Sequence, residues 1–266
     1  MPIGAADMVI RRIREHIDEL NWFAVAIDFL IVVAGIVIGT QVNNWNEKRI
    51  EAEQARSYRA RLINELEFNA RQFIQQIAYY RQVRAYGLQA LAELTGEQPV
   101  DDRDFLIASY QLSQVDTTAA KTNIYDEMTA NGLVDRLGSD DLQQQASDYY
   151  LGLSISNRQL QDNQPYRNVI RQVMPYDLQR RIRDDCGDRA VFHQDRLVGV
   201  KLVVPCPVTL DPAAVATGAR IVRGTPDMVG LMTRYLASID EKIDNLRPGR
   251  GSSLAFRRRL IDAGRH

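Results

Sequence analysis

WFAVAIDFLIVVAGIVIGTQVNNW, residues 22–45, decides how this chain is read. Between its two tryptophans stand twelve Val, Ile, Leu and Phe residues, and the clearly polar positions are Asp28, Thr40, Gln41, Asn43 and Asn44. Twenty residues from Phe23 rise about 30 Å as a helix, the thickness of a bilayer's hydrocarbon core. The competing reading is a buried core helix, since the uncharged run Phe29–Gly39 is short enough for one. Magnitudes favour the membrane. At about −0.3 to −0.6 kcal/mol each the apolar residues outweigh one Asp at about +2.5 to +3.5, and Asp28 lies off centre, where its cost falls. Trp22 and Trp45, the only tryptophans of the chain, bracket the segment where interfacial aromatic belts lie. A cleaved signal peptide is disfavoured, because Gly39-Thr-Gln-Val-Asn-Asn offers no small-x-small cleavage site.

Working outward, Gly35 and Gly39 form a GxxxG, and Val32, Asp28 and Ala24 continue the same helix face. Small residues permit close helix approach and a carboxyl group in hydrocarbon needs a partner. Two readings stay open: a face for a homo-oligomer or another membrane protein, or glycines ordinary in membrane helices with Asp28 reaching the interface. Residues 1–21 read as an amphipathic segment at the membrane surface, with Ile10, Ile13, Ile17 and Leu20 on one stripe. Arg11, Arg12 and Arg14 favour a cytoplasmic N-terminus, but Lys48, Arg49 and Arg56 nearly cancel that bias, so charge alone does not set orientation.

The junction GIVIGTQVNNWNEKR, residues 35–49, resembles a family of single-pass bacterial membrane proteins built on a domain of unknown function. The positions that carry the resemblance are Asp28, Gly35, Gln41, Asn43, Asn44, Trp45, Asn46 and Glu47, with Asp28 standing where a Glu is more familiar. Tyr125, Met128, Gly132, Leu137, Leu142 and the pair Tyr149-Tyr150 are similar to a second stretch of that family, and residues beyond 185 have no counterpart in it. The resemblance implies a bacterial inner-membrane anchor with the N-terminus cytoplasmic and a periplasmic helical domain. It implies no activity.

Residues 46–246 read as an extracytoplasmic helical bundle, so the fold class is mainly α: the transmembrane helix continues into a long helix of the bundle, with a small β-hairpin insert at about 186–210. From Asn46 to Leu94 there is no proline, and Leu62, Leu66, Ala70, Phe73, Ile77, Tyr80, Leu91 and Leu94 recur at helical spacing. Thr95-Gly96 and Pro99 end that helix, and Asp101 or Asp102 caps the next, with Phe105, Leu106, Leu112 and Val115. A short helix with Tyr125 and Met128 stops at Asn131-Gly132, and Ser139 caps another. Pro165 starts a helix reaching about Arg183 with a kink at Pro175. Two strands, Ala190–His193 and Leu197–Val204, flank the turn His193-Gln-Asp-Arg. Helix returns at Pro212–Thr217 ahead of Gly218 and again over Pro226–Leu246, and the basic residues 247–266 read as a loose tail.

A net charge of −1 gives no reason to expect nucleic acid, and no cofactor motif is present. Cys186 and Cys206, the only cysteines, frame the insert; they pair in an oxidising compartment or stay as separate thiols. With His193 between them they match no common zinc spacing. His16, His193 and His266 suggest no catalytic triad, and the acidic pairs sit at inferred helix ends as caps. The chain is therefore read as no enzyme. Tyr79-Tyr80 and Tyr149-Tyr150 either line a small-molecule cleft or place one ring in the core and leave the other half exposed. The leading expectation is an interaction or scaffold protein whose partners are membrane lipid and a second copy or another membrane protein. The alternative is a ligand-sensing bundle signalling through a partner subunit.

Overall fold

Helix α1 runs from Trp22 to Thr95 in the computed structural model, which describes residues 22–159 and 164–264. The amphipathic stripe expected over residues 1–21 lies outside the described residues, as do Leu160 and His266. Two compact units divide within α1, Met1–Ala55 and Arg56–His266. In the first, every described side chain from Phe23 to Ile50 is exposed.

The second unit is a helical bundle. Within it, α1 buries Leu62, Leu66, Ala70, Phe73, Ile77 and Tyr80 of the stripe its spacing predicts, together with Val83 and Ala90, while Leu91 and Leu94 are half-buried. Its end is a Schellman turn: Gly96 has φ +75°, Glu97 N donates to Ala92 O (2.9 Å) and Gly96 N to Glu93 O (3.2 Å). Helix α2, Asp102–Leu112, opens on the carboxylate of Asp101, which accepts from Asp104 N at 2.8 Å. From Phe105 to Leu112 every residue of α2 is buried, which makes it the central helix of the bundle. Helix α3 (Asn123–Ala130), a 3₁₀ turn (Val134–Leu137) and α4 (Asp140–Gln159) follow.

Where the sequence suggests one helix kinked at Pro175, two stand: α5, Pro165–Val173, and α6, Tyr176–Cys186. Proline lacks an N–H and forces the residue before it towards extended backbone, and Met174 has ψ 131°. The Gln179 amide donates to the carbonyls opened by the break, Arg171 O at 2.8 Å and Met174 O at 2.6 Å.

Strands β1 (Arg189–His193) and β2 (Arg196–Lys201) pair antiparallel. Their turn residues Gln194 and Asp195 have φ 49° and 58°, the left-handed pair that a two-residue hairpin of matching twist requires. A disulfide joins Cys186 and Cys206, Cα atoms 5.2 Å apart, across the base of the insert.

Two expectations for the C-terminal part are corrected. Helix α7 runs Pro212–Arg223, straight through Gly218. That glycine is a contact rather than a stop: a Cβ there would stand 2.7 Å from Leu178 Cδ1 and 3.3 Å from Leu106 Cδ1, so its bare backbone lets α7 lie close to α2 and α6. The tail is helical as well. Helix α8 spans Met228–Ala263 with Pro248 inside it, and Ser253, Phe256 and Leu260 are buried. These residues continue the heptad of Ile239, Ile243 and Leu246, so the core contact outweighs the local breaker Arg247-Pro-Gly-Arg-Gly.

Candidate functional site

Helix α1 is long and apolar enough in its N-terminal part to cross a membrane, and none of that stretch is buried. At 3.6 residues per turn Ala24, Asp28, Val32, Gly35 and Gly39 fall within an arc of about 80°. Asp28 is exposed, Val32 is 59% exposed, and nothing lies within 4 Å of a Cβ built on Gly35 or Gly39. Thus one face is bare. Trp45 is 65% exposed with the Arg49 guanidinium 5.9 Å from its ring centre. In the junction motif Asn43 Nδ2 donates to Glu47 Oε1 at 2.7 Å, while Gln41, Asn44 and Asn46 are exposed on the helix. The side chains of Trp22 and Ala24 lie outside the described ones.

Inside the bundle α1 carries a second, polar stripe. Glu65, Asn69, Gln72 and Gln76 are all buried at spacings of four, three and four, and three of them hold the chain between α2 and α3. Asn69 pairs with the backbone of Lys121 in both directions (2.8 Å each), Gln76 Nε2 donates to Thr118 O (2.6 Å), and Glu65 Oε2 accepts from Ile124 N (3.0 Å). From the other side Asn157 of α4 clasps Ala120 through both its N–H (3.1 Å) and its carbonyl (3.2 Å). A partly buried non-helical segment needs such partners for its peptide groups. Gln72 alone has an amide without a hydrogen-bond partner among the described residues.

Both tyrosine doublets are fully in the core, which corrects the expectation of one half-exposed ring in each. Their hydroxyls are all engaged. Tyr79 donates to Asp188 Oδ1 (2.9 Å), Tyr80 to Asp116 O (3.2 Å) and Tyr150 to Glu65 Oε1 (2.7 Å). Ser253 Oγ spends its proton on Gly249 O (2.8 Å), so Tyr149 donates to Ser253 (2.8 Å). Burial raises the pKa of all four phenols above their ordinary value.

Tyr149 also borders a groove of about 560 Å³ between α4 and α8. Phe73, Leu153 and Phe256 form its apolar base, and Gly152, Ser156, Gly249 and Ser252 keep it open by their small size. Asp141 and Asp148 line the α4 wall, Arg259 the α8 wall, and the Gln145 Oε1 atom beside them is buried without a partner among the described residues. Such a groove suits a ligand with an apolar body and polar ends. Sequence reading misses Gln145, Asp148 and Arg259, because residues 247–266, which carry Phe256 and Arg259, read there as a loose tail rather than as a helix facing α4. The polar stripe, by contrast, carried a signal in its four-three-four spacing.

No group of three His, Cys, Asp or Glu side chains arranged to hold a metal occurs among the described residues. Compared with family models, with curated proteins and with solved structures, the chain matches none.

Proposed function

We propose that this chain is a single-pass membrane protein whose helical bundle serves as an interaction or scaffold module, with no catalytic role. One observation carries the reading: the apolar run is bare, with Phe29 67%, Leu30 63% and Ile36 62% exposed. Leaving such a side chain in water forgoes about 1.5–3 kcal/mol, so lipid is its natural surround. The bare face through Asp28, Gly35 and Gly39 then suits a second copy or another membrane protein's helix.

For orientation we infer a cytoplasmic N-terminus and a periplasmic bundle in a bacterial inner membrane. The resemblance carried by residues 41–47 supports it, and a disulfide persists in oxidising compartments, whereas the arginines before the helix are nearly balanced by Lys48, Arg49 and Arg56 after it. Alkaline carbonate washing of native membranes tests the anchor: the chain is expected to stay in the pellet, and release into the supernatant overturns the reading. In-membrane cross-linking tests association. The double substitution Asp28→Leu, Gly35→Leu is expected to lower the cross-linked yield, and an unchanged yield removes the association face.

A second reading rests on the groove between α4 and α8, whose apolar base and charged walls suit a sensed small molecule passing its signal through a partner subunit. Native mass spectrometry of protein taken gently from its membrane is expected to show a bound small molecule under this reading. Its absence counts against the sensor.

A further inference from the structure

The tip of the hairpin and the start of α3 build a second polar site on α1, distinct from the α4/α8 groove. Its geometry begins with how β2 lies on α1. Leu202 N donates to Gln82 Oε1 (3.1 Å), a Cβ on Gly199 would stand 2.9 Å from Gln75 Cβ, and Arg196 borders one cavity with Phe68. Three residues of strand advance about 10 Å and seven of helix about 10.5 Å, so the steps 202, 199, 196 and 82, 75, 68 keep register. The strand is thus held along the helix, and the contacts at Gly199 and Leu202, which follow Arg196 in the chain, bring Arg196 to the cavities that Phe68 lines.

Two cavities of about 370 and 340 Å³ meet there, sharing Asn64, Phe68 and Arg196. Four cationic side chains border them, Arg61, Arg71, Lys121 and Arg196, against two carboxylates, Glu65 and Glu67. Both carboxylates are already engaged. Glu67 holds Arg71 at 2.9 Å and Arg257 at 3.1 Å, and buried Glu65 accepts from Tyr150 and Ile124. Arg61 is forked on Glu127. Lys121 keeps its ammonium 3.9 Å over the Phe68 ring with the buried Glu65 carboxyl as an electrostatic neighbour, and neither it nor Arg196 makes an ion pair among the described residues. His193 borders the hairpin side, and the Asn64 and Asn123 amides are neutral donors within the same walls.

Unmatched cations that share one cavity with neutral donors are what an oxyanion needs. A guanidinium offers two parallel N–H groups to two oxygens of one anion, and an ammonium opposite it adds a point charge. We propose that this site binds a phosphate group, free or as an ester, between Arg196 and Lys121 over Phe68. A dianion answers the two unmatched charges, where a carboxylate would answer only one.

The test is calorimetric titration of the full chain, in non-ionic detergent, with inorganic phosphate at constant ionic strength. Saturable binding is expected, weakened about tenfold or more by Arg196→Gln and by Lys121→Gln and unchanged by Arg220→Gln, an exposed cation outside these cavities. Arg196 and Lys121 are exposed, so both variants are expected to keep the wild-type melting temperature. Absence of saturable binding, or equal affinity in Arg196→Gln, overturns the site. Repeating the titration in lipid nanodiscs separates the sources. Phosphate binding suppressed by anionic lipid assigns the site to a lipid headgroup, and binding retained there assigns it to a soluble phosphate compound.

Discussion

Glu65 places a carboxyl group where a helical bundle ordinarily keeps a leucine. Burial pushes its pKa above the usual 4.5, and the hydrogen bonds from Tyr150 and Ile124 only partly oppose the shift. Between pH 4.5 and its folded value this group keeps, in the folded protein, a proton that the unfolded chain has lost. The stability this group supplies is complete below pH 4.5 and is lost as pH rises through its folded value. Asp116 and Asp188 are raised by burial in the same sense. In urea unfolding across a pH series, the stability of wild type relative to Glu65→Gln is expected to be flat below pH 4.5 and to fall above it; a difference flat throughout contradicts this. Gly199 gives a second residue-scale prediction. Its φ of +154° and its approach to Gln75 leave no room for a methyl group, so Gly199→Ala is expected to cost about 1–3 kcal/mol in the same assay. Neither constraint is readable from the chain alone: a glutamate at position 65 looks like any solvated helix charge until the segment after α2 is laid over it.

Elements were legible where the signal is local. Thr95-Gly96, Asp101 and Asn131-Gly132 end or start helices because their own backbones and side chains supply the caps. The reading failed where distant contacts override a local breaker, at Gly218 and at Pro248-Gly249. In α8 the deciding residue is Phe256, which sits 5.8 Å from Tyr149 between ring centres and is fully buried. Phe256→Ala is expected to cost about 3–5 kcal/mol, whereas Leu254→Ala, 38% exposed on the same turn, is expected to cost no more than about 0.5. Equal effects would mean that the last turns of α8 are not core. The disulfide acts at this scale too. It closes a separation of 20 residues, and the double substitution Cys186→Ser, Cys206→Ser is expected to lower unfolding free energy by about 3 kcal/mol.

For the whole molecule, the membrane reading and the bundle make separate demands, and topology joins them. A reporter fused after Gly264 is expected to be active only on the periplasmic side. Cytoplasmic activity alone would reverse the proposed orientation and remove the compartment in which Cys186 and Cys206 stay paired. The groove and the phosphate site both belong to the unit beginning at Arg56, so either can fail while the anchor stands. The bundle also closes late along the chain. Arg59 Nη1 donates to Ala263 O (3.4 Å), Arg257 reaches Glu67 (3.1 Å), and Phe256 and Leu260 complete a core whose first residue is Leu62. Translation at about 5–20 residues per second takes roughly 2–8 s to deliver α8 after α7 is made. Throughout that interval Tyr149 lacks Phe256 and Phe73 lacks Gly249, so the nascent domain keeps apolar surface open until α8 docks, and premature stops before Phe256 would leave a product fit for proteolysis.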